Sequence, residues 1–215
     1  MQRFAEILRY MGHKGQADDQ LDILISSCLE KLESVCDARH VVLQMPCTVT
    51  ENNVTMDMIE IKSSGLAVHL FNCTHVFIFA ATLGAAVDRL IAQRSKIDSA
   101  EALCLQACAV AKIENFCDGI EHDLSHDNEQ HGLFLRPRFS PGYCDFDIKH
   151  QKDILQILQA HKRIGVSETN THMLTPMKSV TALVGISRKK SNQTLRNCNN
   201  CNKSDCNFRH KETSA

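Results

Sequence analysis

Arg136-Pro137-Arg138-Phe139-Ser140-Pro141-Gly142-Tyr143 packs two fixed backbone angles, a permanent cation and one of the chain's two tyrosines into a single short stretch. Pro141 and Gly142 are the residue types a type II turn takes at its central positions, so the backbone is expected to bend sharply here with its amides exposed. Arg138 stays charged at physiological pH and presents a forked donor that matches a carboxylate, while Tyr143 adds a ring face and a hydroxyl. The stretch reads as a ligand cradle, with an ordinary surface turn as the alternative.

Working outward, the flanking sequence groups its strands and helices separately. Leu21, Leu24, Cys28, Leu32 and Val35 recur at helical spacing and predict a helix over 19–35, followed by a β-rich run from Arg39 to Met45. Val54 to Ile61 reads as the next strand, Ser63-Ser64 as the cap of a short helix ending near Phe71, and Val76 to Ala80 as a strand covered on both faces. The corner Ala81-Thr82-Leu83-Gly84 opens a helix to about Gln93; one glycine is no nucleotide-binding fingerprint, so packing is its expected role.

Asp98-x-x-Glu101 has the pattern of a capping box, and Ala100, Leu103, Ala107, Val110, Ile113, Cys117 and Ile120 continue an apolar stripe from it. His122 and His126 stand one turn apart near its end, but Glu121, Asp127, Asn128 and Glu129 around them indicate a solvated helix terminus rather than a metal site. A helix over 148–161 directs Ile154, Leu155 and Leu158 inward, and extended segments follow at 166–173 and 180–187. Strands and helices grouped in this way, without strict alternation, give an α+β fold with a largely antiparallel twisted sheet and flanking helices.

The 215 residues carry 24 basic and 25 acidic side chains, a net charge of −1, so no global field favours nucleic acid or an anionic membrane. The longest apolar candidate, Leu66 to Val87, is interrupted by His69, Asn72, Thr74 and His75, and the amino terminus lacks the pattern of an export signal. A cytoplasmic protein is expected, and with it free thiols for the eleven cysteines. Cys104, Cys108 and Cys117 fall on the apolar side of a helix and read as packing.

Cys198, Cys201 and Cys206 differ, because they sit in a polar tail where nothing calls for a hydrophobe. With His210 they have the composition of a tetrahedral zinc site; three thiolates with one open position equally suit an iron–sulfur cluster, and a tail whose thiols hold nothing is the third alternative. The expected division is a main domain over 1–190 and a cysteine-bearing tail over 191–215.

Arg138-x-x-Pro141-Gly142-Tyr143 followed by Ile164-Gly165-Val166 resembles the activation domain of cobalamin-dependent methionine synthase. The resemblance continues through Thr169, Met173, Pro176 and Lys178-Ser179-Val180-Thr181-Ala182. Ile7 to Gly15 is similar to the start of the short free-standing members, and Asp205-Cys206-Asn207-Phe208-Arg209 to their cysteine-bearing end. It implies a domain that binds S-adenosylmethionine and places its methyl group over a cobalamin carried by a partner, returning oxidised cobalamin to the cycle by reductive methylation. It further implies that Arg138 grips the methionine carboxylate, that backbone groups of Ser140 and Gly142 hold polar edges beside Pro141, and that Tyr143 lines the ligand.

The chain departs from the large multidomain enzymes, which place a glutamate near Asn170 and a tyrosine near Val184. The implied partners are the cobalamin-binding portion of methionine synthase, or another corrinoid protein, and a flavodoxin or ferredoxin as electron donor. On this reading the chain binds but turns nothing over alone. Two other readings fit the same sequence: an iron–sulfur or redox module that reactivates another corrinoid methyltransferase protein, and a sensor of S-adenosylmethionine with no corrinoid partner.

Overall fold

The computed structural model describes residues 2–13, 18–57 and 59–190. Helices α1 (Gln2–Tyr10) and α2 (Asp19–Val35) precede strand β1 (Arg39–Pro46) and a small sheet of β2 (Thr48–Val49), β3 (Asn53–Met56) and β4 (Ile59–Lys62). Then come α3 (Ser64–His69), β5 (His75–Thr82), α4 (Ala85–Arg94) and the long α5 (Ser99–Glu129). Strand β6 (Phe134–Leu135) leads to a 3-10 turn at Ile148–His150, α6 (Gln151–Ile157) and α7 (Ala160–Ile164). A β7 (Ser167–Glu168) and β8 (Leu174–Thr175) hairpin and the final strand β9 (Ser179–Ser187) complete the described elements.

The main sheet is antiparallel throughout, in the order β1-β5-β9-β6. Strand β5 explains the layering. Its side chains alternate between the two faces, and seven of its eight residues are buried. Phe77, Phe79 and Ala81 join Ala182, Val184 and Ile186 of β9 under α1, α2, α4 and α5. Val76, Ile78 and Ala80 join Leu183 in a second core with α3, α6, α7 and the β3–β4 hairpin. An apolar run without polar alternation is what a strand covered on both faces requires, and here it occurs in an antiparallel sheet.

The α+β architecture and the bounds of α2 agree with the sequence reading, and Asp18 caps α2 by accepting from the Leu21 amide at 2.8 Å. Four local expectations change. The single strand over 54–61 is a hairpin: Asp57 takes φ +50°, and Met56 pairs with Ile59 across the reversal. The helix over 148–161 is broken, with Gln159 in the left-handed region at φ +49° between α6 and α7, although Ile154, Leu155 and Leu158 are buried as expected. The extended segment over 166–173 folds back through His172, at φ +61°.

The fourth correction concerns α5. Asp98 caps it, accepting from the Ala100 and Glu101 amides, but Glu101 does not complete a capping box; it turns inward to Lys31 at 2.5 Å and Arg94 at 3.7 Å. Ala100 and Leu103 are exposed, while Ala102, Cys104, Leu105, Cys108 and Ala109 are buried. The first half of α5 is wedged among α1, α2 and α4, so its buried face is broader than, and rotated from, the stripe that spacing suggested. Cys104, Cys108 and Cys117 are buried as packing residues, and desolvation pushes the Cys117 thiol up to about 12.

Gly185 marks the tightest approach in the sheet. A Cβ there would lie 2.6 Å from Leu70, 2.7 Å from the Cys73 sulfur and 3.0 Å from the Arg136 stem. Gly185→Ala is expected to lower stability by about 1–3 kcal/mol through overpacking, measured as a shifted urea midpoint with an unchanged slope.

Candidate functional site

The stretch that opened the sequence reading lies along the free edge of β9. Leu135 pairs with Ile186, Arg136 donates its amide to Gly185 at 2.8 Å, and Phe139 exchanges two backbone hydrogen bonds with Leu183, both 2.9 Å. Between them Pro137 has no amide to give, which an edge position tolerates. Its carbonyl meets His69 Nε2 at 2.7 Å, so the neutral ring donates there, and burial pulls the His69 pKa down.

The turn forms where the sequence places it. Tyr143 donates its amide to the Ser140 carbonyl at 3.2 Å, with Pro141 and Gly142 between them and Gly142 at φ +93°, the sign that type II geometry needs at that position. The amides, however, do not face outward. Gly142 donates to the Phe146 carbonyl at 2.7 Å and Phe146 to the Tyr143 carbonyl at 2.9 Å. Phe146 is core, and its burial curls the chain back over the turn, so the expected donors are spent internally.

What the turn presents is aromatic surface. Phe139 lies 4.9 Å from the His69 ring, 6.2 Å from Tyr143 and 6.3 Å from a nearly parallel Phe146, centroid to centroid. Tyr143, at the outer end of this series, is 63% exposed. Its ring is supported from below and open above.

Arg138 points to α5 instead of along the turn. Its guanidinium donates to Asp118 and Glu121 through one terminal nitrogen and to Glu114 through the other, each at 2.6 Å. The three carboxylates are spaced i, i+4 and i+7, which puts them on one face of the helix. Burial raises the Glu121 pKa, and the Arg138 charge and hydrogen bonds work in the opposite direction. Burial also works against the Arg138 charge, yet Glu121 and its companions raise its pKa overall.

Beyond the turn, Cys144 is exposed at φ +50° and Asp145 covers the start of α3. The Asp145 carboxylate accepts from the Ser63 hydroxyl at 2.5 Å, the Ser64 amide and hydroxyl at 2.8 and 2.7 Å, and the Gly65 amide at 3.0 Å. These bonds, that from Ser63 foremost, hold its pKa far below the usual carboxylate range. Ser63 also caps α3 as expected, accepting from Leu66.

The structure therefore brings Ser140, Pro141, Gly142 and Tyr143 into one turn, with Arg138 two residues before it and its side chain turned to α5. It does not bring Gly165 to them: that residue lines a separate cavity of about 260 Å³ with Asp37, Arg39, Gly84, Arg89 and Pro176. Gly84, at φ +86° and packed against Asp37, is the tight corner anticipated for 81–84. Cys198, Cys201, Cys206 and His210 lie outside the described residues. Among those described, no grouping of His, Cys, Asp or Glu suits a metal, and His122 and His126 are exposed at the end of α5. Sequence reasoning missed Asp145 and the carboxylates that hold Arg138; the 114, 118, 121 spacing was the available signal for the latter.

No protein-family model matches the chain, and no curated protein matches it in sequence. Among solved structures, the crystal structure of the MetH reactivation domain bound to AdoHcy superimposes with a TM-score of 0.60 at 15% identity, covering 82% of this chain and 68% of that one. The chain has the MetH reactivation-domain fold. The fold implied by the short motifs is thus the fold observed, at an identity where only architecture is comparable. No helix among the described residues is long and apolar enough to cross a membrane.

The Asp145 contacts carry a sign. A carboxyl whose folded pKa is depressed contributes stability above its unfolded pKa of about 3.9 and loses it as pH falls through the folded value. Asp145→Asn is expected to melt at a lower temperature than wild type at pH 7, and the gap is expected to close steadily below about pH 4; calorimetric scans from pH 7 to pH 2 measure both.

Proposed function

We propose that the chain is an S-adenosylmethionine-binding reactivation component of cobalamin-dependent methionine synthase, supporting reductive methylation of oxidised cobalamin on a partner. One observation carries this reading: the chain shares its fold with a reactivation domain that was crystallised with AdoHcy, the demethylated form of that methyl donor. The built Ser140–Tyr143 turn at the sheet edge adds to it.

In this reading S-adenosylmethionine supplies an activated methyl group on a sulfonium, and the residues of this chain bind and orient it. Tyr143 offers an exposed ring to a cation, an arrangement that contributes about 0.5–2 kcal/mol when the face is accessible. Ser140, Pro141 and Gly142 fix the height and tilt of that ring, and Arg138 belongs to the same site. A donor held on an open edge remains reachable by a corrinoid on another protein. Here proximity and orientation are the chain's contribution, and no acid, base or nucleophile of its own is needed. The same reading makes the cobalamin-binding portion of methionine synthase the partner, takes a flavodoxin or ferredoxin as electron donor, and places the chain in the cytoplasm.

Calorimetric titration of S-adenosylmethionine into the wild-type chain tests this. Saturable binding is expected, weakened at least tenfold, about 1.4 kcal/mol, in Tyr143→Ala, with an unchanged melting temperature because the ring is mostly outside the core. A folded wild type that binds neither S-adenosylmethionine nor AdoHcy would overturn the proposal.

A further inference from the structure

The exposed ring of Tyr143 takes its position from the rings beneath it. It lies 6.2 Å from Phe139, and Phe139 in turn rests on two rings, Phe146 at 6.3 Å and His69 at 4.9 Å, separations typical of aromatic contact. Phe146 belongs to the core. His69 is the nearer of the two and the polar one, although an apolar ring would pack against Phe139 equally well. Packing alone gives no reason for a histidine here.

The backbone supplies the reason. The segment along β9 is attached at Arg136, whose amide meets Gly185, and again at Phe139, which exchanges both backbone groups with Leu183. Pro137 stands between these attachments, and its carbonyl takes the Nε2–H of His69 at 2.7 Å. Burial lowers the His69 pKa, and the Arg136 charge adds to that effect while the bond to Pro137 opposes it. The ring is therefore neutral at pH 7, with a single N–H, and that donor is spent on Pro137. One side chain thus holds the main chain two residues before Phe139 and also supports the Phe139 ring itself.

His69 is the last residue of α3, and the start of the same helix holds the far side of the turn. Asp145, two residues after Tyr143, accepts there from Ser63, Ser64 and Gly65. Helix α3 therefore braces the 140–143 turn from both sides, through Asp145 after it and through Pro137 and Phe139 before it.

We propose that His69 is a positioning residue of the S-adenosylmethionine site: by fixing the Pro137 carbonyl and supporting Phe139, it sets the Tyr143 ring against which the ligand's sulfonium binds. This rests on the function proposed above. His69 acts through Phe139 and Tyr143 and not by contact with the ligand.

A residue that acts through Tyr143 loses its influence once Tyr143 is gone, whereas a general structural defect persists, so a double-mutant cycle separates the two. S-adenosylmethionine is titrated calorimetrically into wild type, His69→Phe, His69→Leu, Tyr143→Ala and each His69 variant combined with Tyr143→Ala. His69→Phe keeps a ring against Phe139 and removes the donor, while His69→Leu removes both. Affinity is expected to fall at least fivefold in His69→Leu and at least threefold in His69→Phe. In the Tyr143→Ala background the same changes are expected to weaken binding by less than twofold.

A second readout needs no ligand. The chain has two tyrosines and no tryptophan, so Tyr10→Phe leaves Tyr143 as the sole tyrosine. Its fluorescence is expected to become more quenchable by acrylamide in His69→Leu under conditions where the circular dichroism is that of wild type.

The proposal is overturned if either His69 variant binds S-adenosylmethionine as wild type does, if the losses stay above twofold without Tyr143, or if quenching of Tyr143 is unchanged. Should His69→Leu fail to fold, His69→Phe decides by the same measures. Should Tyr143→Ala bind too weakly to titrate, the quenching comparison decides. A wild type that binds neither S-adenosylmethionine nor AdoHcy refutes the parent reading, whereas a wild type that binds alongside His69 variants indistinguishable from it refutes only the role given to His69.

Discussion

Everything in the structure is arranged around a strand pair that cannot meet solvent. β5 is hydrogen-bonded on one side to β1 and on the other to β9, and its two faces feed two separate apolar layers. A strand in that position is apolar along its covered length, here 76–81, and it obliges each face to be covered by helices or by the small hairpin. The helical layer of α1, α2, α4 and α5 and the mixed layer of α3, α6 and α7 are the two coverings.

That arrangement leaves β9 with one side unspent. Its first half is bonded only to β5, while its second half receives the 134–139 segment, and the turn at Ser140 is where that segment leaves the sheet. The location of the candidate site thus follows from the order of strands. The two elements that hold it come from opposite layers: α5 grips Arg138 from one face, and α3 grips Asp145 and supports Phe139 through His69 from the other. The turn is short and exposed but bracketed on both sides by charge-assisted bonds, which are stronger than neutral ones.

Much of this could be read from sequence where the physics is local. Ser63 and Asp98 announce helix starts because a cap is made by residues three or fewer positions apart. Pro141-Gly142 announces its turn because proline and glycine fix φ without help from the rest of the chain. The unbroken apolar run in β5 announces burial on both faces.

The misreadings share another cause. Asp57, Gln159 and His172 adopt positive φ without being glycine, so no residue type marked the reversals at those points. Glu101 was assigned to the nearest chemical purpose, a cap, and the carboxylates around Arg138 went unread. Lys31, the partner of Glu101, lies 70 residues away, and the α5 carboxylates lie between 17 and 24 residues from Arg138. Short-range rules do not see such partners; the packing of α2 on α5 brings together the first pair, and that of the 134–139 segment beside α5 the second.

Pro137 also bears on how copies of this chain behave toward one another. An uncovered strand edge is a template for sheet extension by a second molecule, which needs a continuous row of free amides and carbonyls. Along 134–139 that row is interrupted by a residue with no amide, and its carbonyl is already engaged by His69. The edge is therefore unsuited to recruiting another strand, and the surface beside the turn carries built-in resistance to self-association.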